Sequence, residues 1–428
     1  MKLLHFNAWL AFVRFLFTGA VAGCLAFGAA GLTYRLGVAQ AEFSVEIKEQ
    51  PAPVITFDET ITLKLTATST VPVVDATLAI RMTDAQQRTY WGKAQLRNPS
   101  TELNLTYQLD MQQWSAEAFS TLEYWWVFTD AEERVISTQP QTFQYVDNRF
   151  QWRTLTDGRL TVYWQMGDDR FGQTALQAAT DGLTRANQLL QTTLPDAIAV
   201  YIYPDVESLR ATFGPADPAW MDGKTFPKWN TIAVSVPDDV NALTRLSTEI
   251  PHELAHILIY QAAGGEAGYN NLPQWLNEGL AVFNEDNFGA EQAELLTAAR
   301  QTNTLPTLER LCFNFSADQS QAIVAYAQSG DVVRFIQRTH GIRRLNDLIR
   351  AYADGLDCDT GVRRVLNLSL SELEQEWAQA TFTPESNRAT FYDVNAWTWL
   401  AGVIGVSMLF LMLVFLLGQR GKPANRMI

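Results

Sequence analysis

Hydrophobic and polar positions change rhythm twice along this chain. From residue 42 to about 148 the period is two. Ile61-Thr62-Leu63-Lys64-Leu65-Thr66 alternates strictly, as do Ala76-Thr77-Leu78-Ala79-Ile80-Arg81 and Leu103-Asn104-Leu105-Thr106-Tyr107. Leu122 to Phe128 and Thr142 to Tyr145 continue the pattern, with turn residues between. Successive side chains of a strand point to opposite faces, so each run predicts a half-buried strand. Several such strands in about 100 residues predict an all-β domain over 42–148, an immunoglobulin- or fibronectin-like sandwich. The Trp125-Trp126 pair reads as cross-strand and core packing rather than a binding surface.

From residue 149 to 385 the rhythm is mixed. Leu160-Thr161-Val162-Tyr163-Trp164 and Ile198 to Tyr203 read as strands, separated by a helix over about 171–193. Thr231 to Val236 reads as a third strand. Beyond Glu278 the period is helical to about residue 382. The expected fold class is therefore α+β: a β-sandwich, then a domain with a small mixed sheet and a helical lobe.

Two apolar runs bracket this body. Phe15 to Leu32 follows Lys2 and Arg14 and precedes Ala39-Gln40-Ala41, a small-x-small cleavage pattern. Residues 1–41 thus read as a signal peptide or an uncleaved anchor. The box Val21-Ala22-Gly23-Cys24 is a weaker lipidation signal, because the chain stays apolar after Cys24. Ala396 to Leu417 carries no charge and is long enough to span a bilayer as a transmembrane helix. Trp397 and Trp399 lie at its start, and Arg420, Lys422 and Arg426 fall in the basic tail 418–428. By the positive-inside rule the C-terminus is cytoplasmic and the body extracytoplasmic, tethered to the cell membrane. Thr383 to Tyr392 forms a short polar tether.

The body's only cysteines, Cys312 and Cys358, make an even pair that an oxidising compartment allows to bond; two free thiols are the alternative. A formal net charge of −14 excludes a nucleic-acid partner, since no basic patch offsets phosphate repulsion.

The densest chemistry lies in His252-Glu253-Leu254-Ala255-His256. Two of the chain's four histidines fall in this pentapeptide; such a coincidence is expected by chance in roughly a few chains per thousand. On a helix, residues four apart share a face, so both imidazoles reach one tetrahedral ion, Zn2+. Glu253 is set to the side, where a carboxylate can take a proton from an attacking water. Thr248 is the expected cap of this helix, which leaves Pro251 in its first turn. The plain alternative is a helix whose histidines only pack or face solvent.

A catalytic zinc site needs a third protein ligand. The metzincin pattern would place a glycine and a histidine where this chain has Ile259 and Ala262, which excludes that class. A glutamate from a following helix is the other solution, and Trp275-Leu276-Asn277-Glu278-Gly279 supplies Glu278. Asn271 is the expected cap, Pro273 the first turn, and Gly279 a point of close helix approach. Glu285 and Asp286 read as a solvated helix end, or as outer partners of a metal ligand. His340, at an expected helix C-terminus, reads as a dipole cap, and Asp168 and Asp169 read as turn residues.

These two motifs resemble the gluzincin metallopeptidases, the clan of thermolysin and aminopeptidase N, and among them the peptidase-MA-like domains of bacterial envelope proteins. The resemblance covers about residues 150–385. It implies His252, His256 and Glu278 as zinc ligands and Glu253 as general base. It also suggests an oxyanion-stabilising tyrosine, for which Tyr326 is the candidate, local packing being the alternative role. By analogy, the strand Thr231 to Val236 would be the edge strand that lines the cleft and pairs with extended substrate. The amine-binding segment Gly-x-Met-Glu-Asn of aminopeptidases is absent, which points to endopeptidase action on peptides or proteins. The interval from His256 to Glu278, rich in glycine, reads as a loop. Rival readings are a catalytically silent scaffold and a structural zinc site; a structural site has no use for Glu253.

Overall fold

The computed structural model describes residues 42–83, 89–114, 116–214, 217–285 and 289–383. The expected signal or anchor (1–41), most of the tether, the transmembrane helix (396–417) and the basic tail lie outside the described residues. Among the described residues no helix is long and apolar enough to cross a membrane.

The N-terminal region is one eight-stranded antiparallel sheet. Its strands are β1 (Val45–Glu49), β2 (Val54–Thr56), β3 (Thr60–Met82), β4 (Tyr90–Lys93), β5 (Ser100–Asp110), β6 (Thr121–Asp130), β7 (Val135–Ser137) and β8 (Gln141–Gln144). The alternating runs around Leu63 and Leu78, expected as separate strands, are one 23-residue strand, β3. Its first half pairs with β5 and its second with β6, and the register shifts between Thr68 and Val73, around Pro72. A proline cannot donate to a ladder, so it sits where the partner changes. The sheet is continuous through β3, unlike the two separate sheets of an immunoglobulin-like sandwich. Trp126 is fully buried in its core, and Trp125 makes an edge contact with Trp91 on the other face, as the packing reading expected.

A second, five-stranded mixed sheet has the order β12-β13-β11-β10-β9. It comprises β9 (Arg153–Asp157), β10 (Leu160–Trp164), β11 (Ile198–Tyr203), β12 (Gly223–Phe226) and β13 (Thr231–Ser235). Between them run α1 (Asp169–Leu190) and the short α2 (Val206–Arg210). Asp168 caps α1 through the amides of Arg170 and Phe171, so it is a helix start rather than a plain turn. Both faces of this sheet are buried, and β11 shows how. Ile198, Val200 and Ile202 face the helical core, whereas Tyr201 and Tyr203 pack with aromatic residues of the N-terminal region. At that junction the Tyr203 hydroxyl donates to the buried Asp147 (2.9 Å), which also pairs with Arg149 (2.6 Å).

The helical lobe follows: α3 (Ala242–Ala262), α4 (Glu266–Asn270), α5 (Gln274–Phe283), α6 (Ala290–Gln301), α7 (Leu308–Leu311), α8 (Gln319–His340), α9 (Ile342–Ala353), α10 (Cys358–Leu366) and α11 (Leu370–Phe382). His340 ends α8, as expected. Cys312 and Cys358 form a disulfide with Cα atoms 6.2 Å apart. The interval between the motif helices is not all loop, since α4 lies within it.

Candidate metal centre and cleft

The pentapeptide lies in the middle of α3, not near its start. The helix begins at Ala242 and passes through Pro251, and the Thr248 hydroxyl bonds back to the Thr244 carbonyl instead of capping. An interior proline removes one helix hydrogen bond, and tertiary contacts hold this turn in place. Gly182 of α1 lets the two helices meet, for a Cβ there would lie 2.8 Å from Pro251 Cα. The Asn284 side chain donates to both the Pro251 carbonyl (2.8 Å) and the Gly182 carbonyl (3.2 Å).

Helix α5 supplies the third donor. Its start is also not as expected: Asn271 gives its amide to the Ala353 carbonyl, and the Gln274 N–H at the helix start reaches the Cys312 carbonyl. Gly279 does mark a close helix approach, because a Cβ there would lie 2.5 Å from the Ser329 carbonyl oxygen on α8.

His252, His256 and Glu278 converge, with one donor atom from each lying within 4.8 Å of the others. Glu278 Oε2 is 3.5 Å from His252 Nε2 and 3.4 Å from His256 Nε2. Two ligands of a tetrahedral zinc ion with bonds near 2.0–2.1 Å lie about 3.3–3.4 Å apart. The donor set therefore fits zinc in kind and in spacing.

Outer contacts orient each ligand. His252 Nδ1 is 2.8 Å from Glu285 Oε1, a contact that orients the ring and turns Nε2 toward the other two donors. Of the two readings of Glu285, the outer-partner one holds; Asp286 lies outside the described residues. His256 Nδ1 is 3.2 Å from Asn277 Oδ1 and 3.3 Å from the Tyr269 hydroxyl. Gln274 donates to Glu278 Oε1 at 2.8 Å. Burial works against a charged His252, but the hydrogen bonds its ring donates to Glu278 and Glu285 overcome it and raise its pKa well above the usual value. Burial likewise opposes an ionised Glu278, yet the two histidines pull its pKa down to about 2.

Glu253 stands beside this centre on its own backbone register. Burial raises its pKa, partly offset by the histidines and by Thr225. The Thr225 hydroxyl lies 2.5 Å from Glu253 Oε2 and 2.8 Å from the Glu253 carbonyl. Gly223 leaves room for the carboxylate, since a Cβ there would come within 2.6 Å of Oε1. Both belong to β12, which is the true edge of the sheet. The strand expected at the edge, Thr231 to Val236, is an interior strand between β12 and β11. Neither Gly223 nor Thr225 had a sequence signal, because the tetrapeptide Gly-Lys-Thr-Phe is too short and too polar to show a period.

A cavity of about 280 Å³ opens beside His252 and Glu253. Tyr326 of α8 forms part of its wall, with its ring 6.0 Å from that of His252. Trp220 and Phe315 pack edge-on against that ring, and the hydroxyl makes no hydrogen bond among the described residues. Burial and the Glu278 charge hold the phenol protonated far above its ordinary range.

Two helices, α3 and α5, that bring His-Glu-x-x-His and a later glutamate to one point define a site of the gluzincin type. Residues 178–383, just under half of the chain, match the family model described as "Peptidase MA superfamily". No curated protein matches the chain. Among solved structures it is similar to an M1 zinc metallopeptidase from Deinococcus radiodurans, at 12% identity and a TM-score of 0.32, covering 79% of this chain and 94% of that one. It is also similar to an aminopeptidase N family protein from Idiomarina loihiensis, at 9% identity and a TM-score of 0.36, covering 80% and 76%.

Proposed function

We propose that this protein is a zinc-dependent peptidase that hydrolyses internal peptide bonds, with Glu253 as general base. The single observation that carries the reading is the convergence of His252, His256 and Glu278 beside a buried carboxylate that Thr225 orients. His252, His256 and Glu278 would hold the ion, and a bound zinc supplies positive charge to the scissile carbonyl oxygen and the attacking water. Glu253 takes the proton of that water and returns it to the departing nitrogen. Tyr326, with its hydroxyl uncommitted and its phenol protonated, can donate to the developing oxyanion. The edge of β12 offers main-chain groups to an extended substrate backbone, which suits recognition without a free terminus.

The same proposal places the catalytic region outside the cytoplasm, tethered by residues 396–417. The Cys312–Cys358 disulfide supports an oxidising compartment. Domain limits near residue 148 and residue 385 go with this reading.

The test is zinc content and cleavage of a mixed, N-blocked peptide library by the full-length protein, beside Glu253→Gln. Zinc in both and turnover in the parent alone establishes the hydrolase. Zinc in both with turnover in neither favours a silent binding protein, and no zinc after reconstitution refutes the metal site. Cleavage only of unblocked peptides would replace the endopeptidase reading by an aminopeptidase.

A further inference from the structure

The cavity beside His252 contains carboxylates for which the proposed chemistry has no use. Glu249 lies on α3 one turn before Glu253, about 6 Å along the same helix face. It lines the cavity, is partly buried, and makes no hydrogen bond or ion pair among the described residues. Asp222, exposed and just before β12, lines the same cavity and acts on Glu249 electrostatically. Glu291 also lines it, and among the described residues no lysine or arginine does. Trp220, Leu295, Ile323 and Tyr326 give the cavity apolar wall as well.

A partly buried carboxylate without a partner is costly, and a structural one is normally paired. Burial and then the charge of Asp222 push Glu249 up to about 8, with His252 acting in the opposite sense. Apolar walls ending in acidic groups suit a side chain with an alkyl stem and a charged head, namely lysine or arginine.

We infer that Glu249 and Asp222 form a specificity subsite for a lysine or arginine side chain of the substrate, next to the bond attacked by the water that Glu253 deprotonates. The inference rests on the peptidase reading for its substrate class but not for its binding. Cation and carboxylate pair within the cavity, and the stem packs on Trp220 and Tyr326. A neutral isostere such as norleucine keeps the packing and loses the pair.

The experiment is binding of N-acetylated, C-amidated peptides to full-length Glu253→Gln protein, read by fluorescence anisotropy, with cleavage by the parent protein run in parallel. A single lysine is moved through each position of an otherwise neutral peptide and compared with norleucine. One register should bind about tenfold tighter with lysine, a charge-assisted hydrogen bond being worth that much. Adding Glu249→Gln should remove most of the difference, and Asp222→Asn should reduce it. No lysine preference in any register overturns the subsite, as does a preference that survives both substitutions together. A preference that appears only with a free N-terminus assigns the carboxylates to the terminal amine and also overturns it. Preferential binding without cleavage by the parent keeps the subsite and refutes the hydrolase, whereas cleavage indifferent to lysine does the reverse.

Discussion

Replacing Gly223 by alanine is the most discriminating perturbation of this site. The new Cβ would lie 2.6 Å from Glu253 Oε1, 3.1 Å from its Cδ and 3.2 Å from its Cγ. Contacts between non-bonded heavy atoms settle near 3.5 Å, so the carboxylate must retreat by roughly 0.5–1 Å. It has little room, because Glu253 is only 7% exposed and its other oxygen lies 2.5 Å from the Thr225 hydroxyl. The backbone at Gly223 is not left-handed, so alanine strains nothing locally, and the three metal-ligating side chains are not among its nearest neighbours. The expected outcome is a loss of about 10²-fold in kcat, the size that a 1 Å misplacement of a reacting group causes. Zinc content should be unchanged, and the thermal midpoint should move by a few degrees at most. The assay is steady-state cleavage of a fluorogenic peptide, with metal analysis and a melting curve on the same samples. A Gly223→Ala enzyme with parental kcat would refute the claim that β12 positions the base. Loss of zinc would show that the strand supports the metal centre instead.

Other perturbations separate the remaining roles. Thr225→Val removes a hydrogen bond that lowers the Glu253 pKa, so that pKa rises further. Because the base works ionised, activity is lost as pH falls through that pKa, and the acid limb of the kcat/KM profile should move to higher pH. Glu285→Ala frees the His252 ring, and zinc affinity measured by competition with a chelator should fall about 10–100-fold. Gly279→Ala forces a Cβ to within 2.5 Å of a backbone oxygen on α8, and denaturant unfolding should show a loss of about 1–3 kcal/mol. Replacing both Cys312 and Cys358 by alanine opens a loop with a sequence separation of 46 and should cost about 4 kcal/mol in the same assay.

What was legible in the sequence was local. His252, Glu253 and His256 sit on one helix at a spacing that chemistry dictates, and Glu278 sits in a short helix next to its own packing glycine. The illegible parts come from far along the chain. Gly223 and Thr225 reach Glu253 only because β12 pairs antiparallel with β13, and their side chains carry no metal or acid–base signature. The expected cap at Thr248 failed because Pro251 reads locally as a helix breaker. Its support comes from Gly182 and Asn284, which no window around residue 251 contains. The long β3 was missed for the same reason: Pro72 looks like a break until the change of partner strand is known.

The exactness of the metal site therefore resides less in the pentapeptide than in how α5 is fixed. That helix gives Glu278 to the centre, and the residues just beyond its end tie it to α3 twice. Asn284 grips the Pro251 carbonyl, and Glu285 takes the outer nitrogen of His252. Its far face meets α8 at Gly279 without a side chain between. Its first turn is held near the disulfide, where the Gln274 N–H reaches the Cys312 carbonyl and the Trp275 indole donates to Cys358 Sγ at 3.4 Å. Three donors from two helices stay within tetrahedral spacing only if those helices cannot slide, and a slip of one residue would shift Glu278 by 1.5 Å along its axis. Such a slip would break the contacts of Asn284, Glu285 and Gly279 together, so the native register is separated from its neighbours by several interactions lost at once.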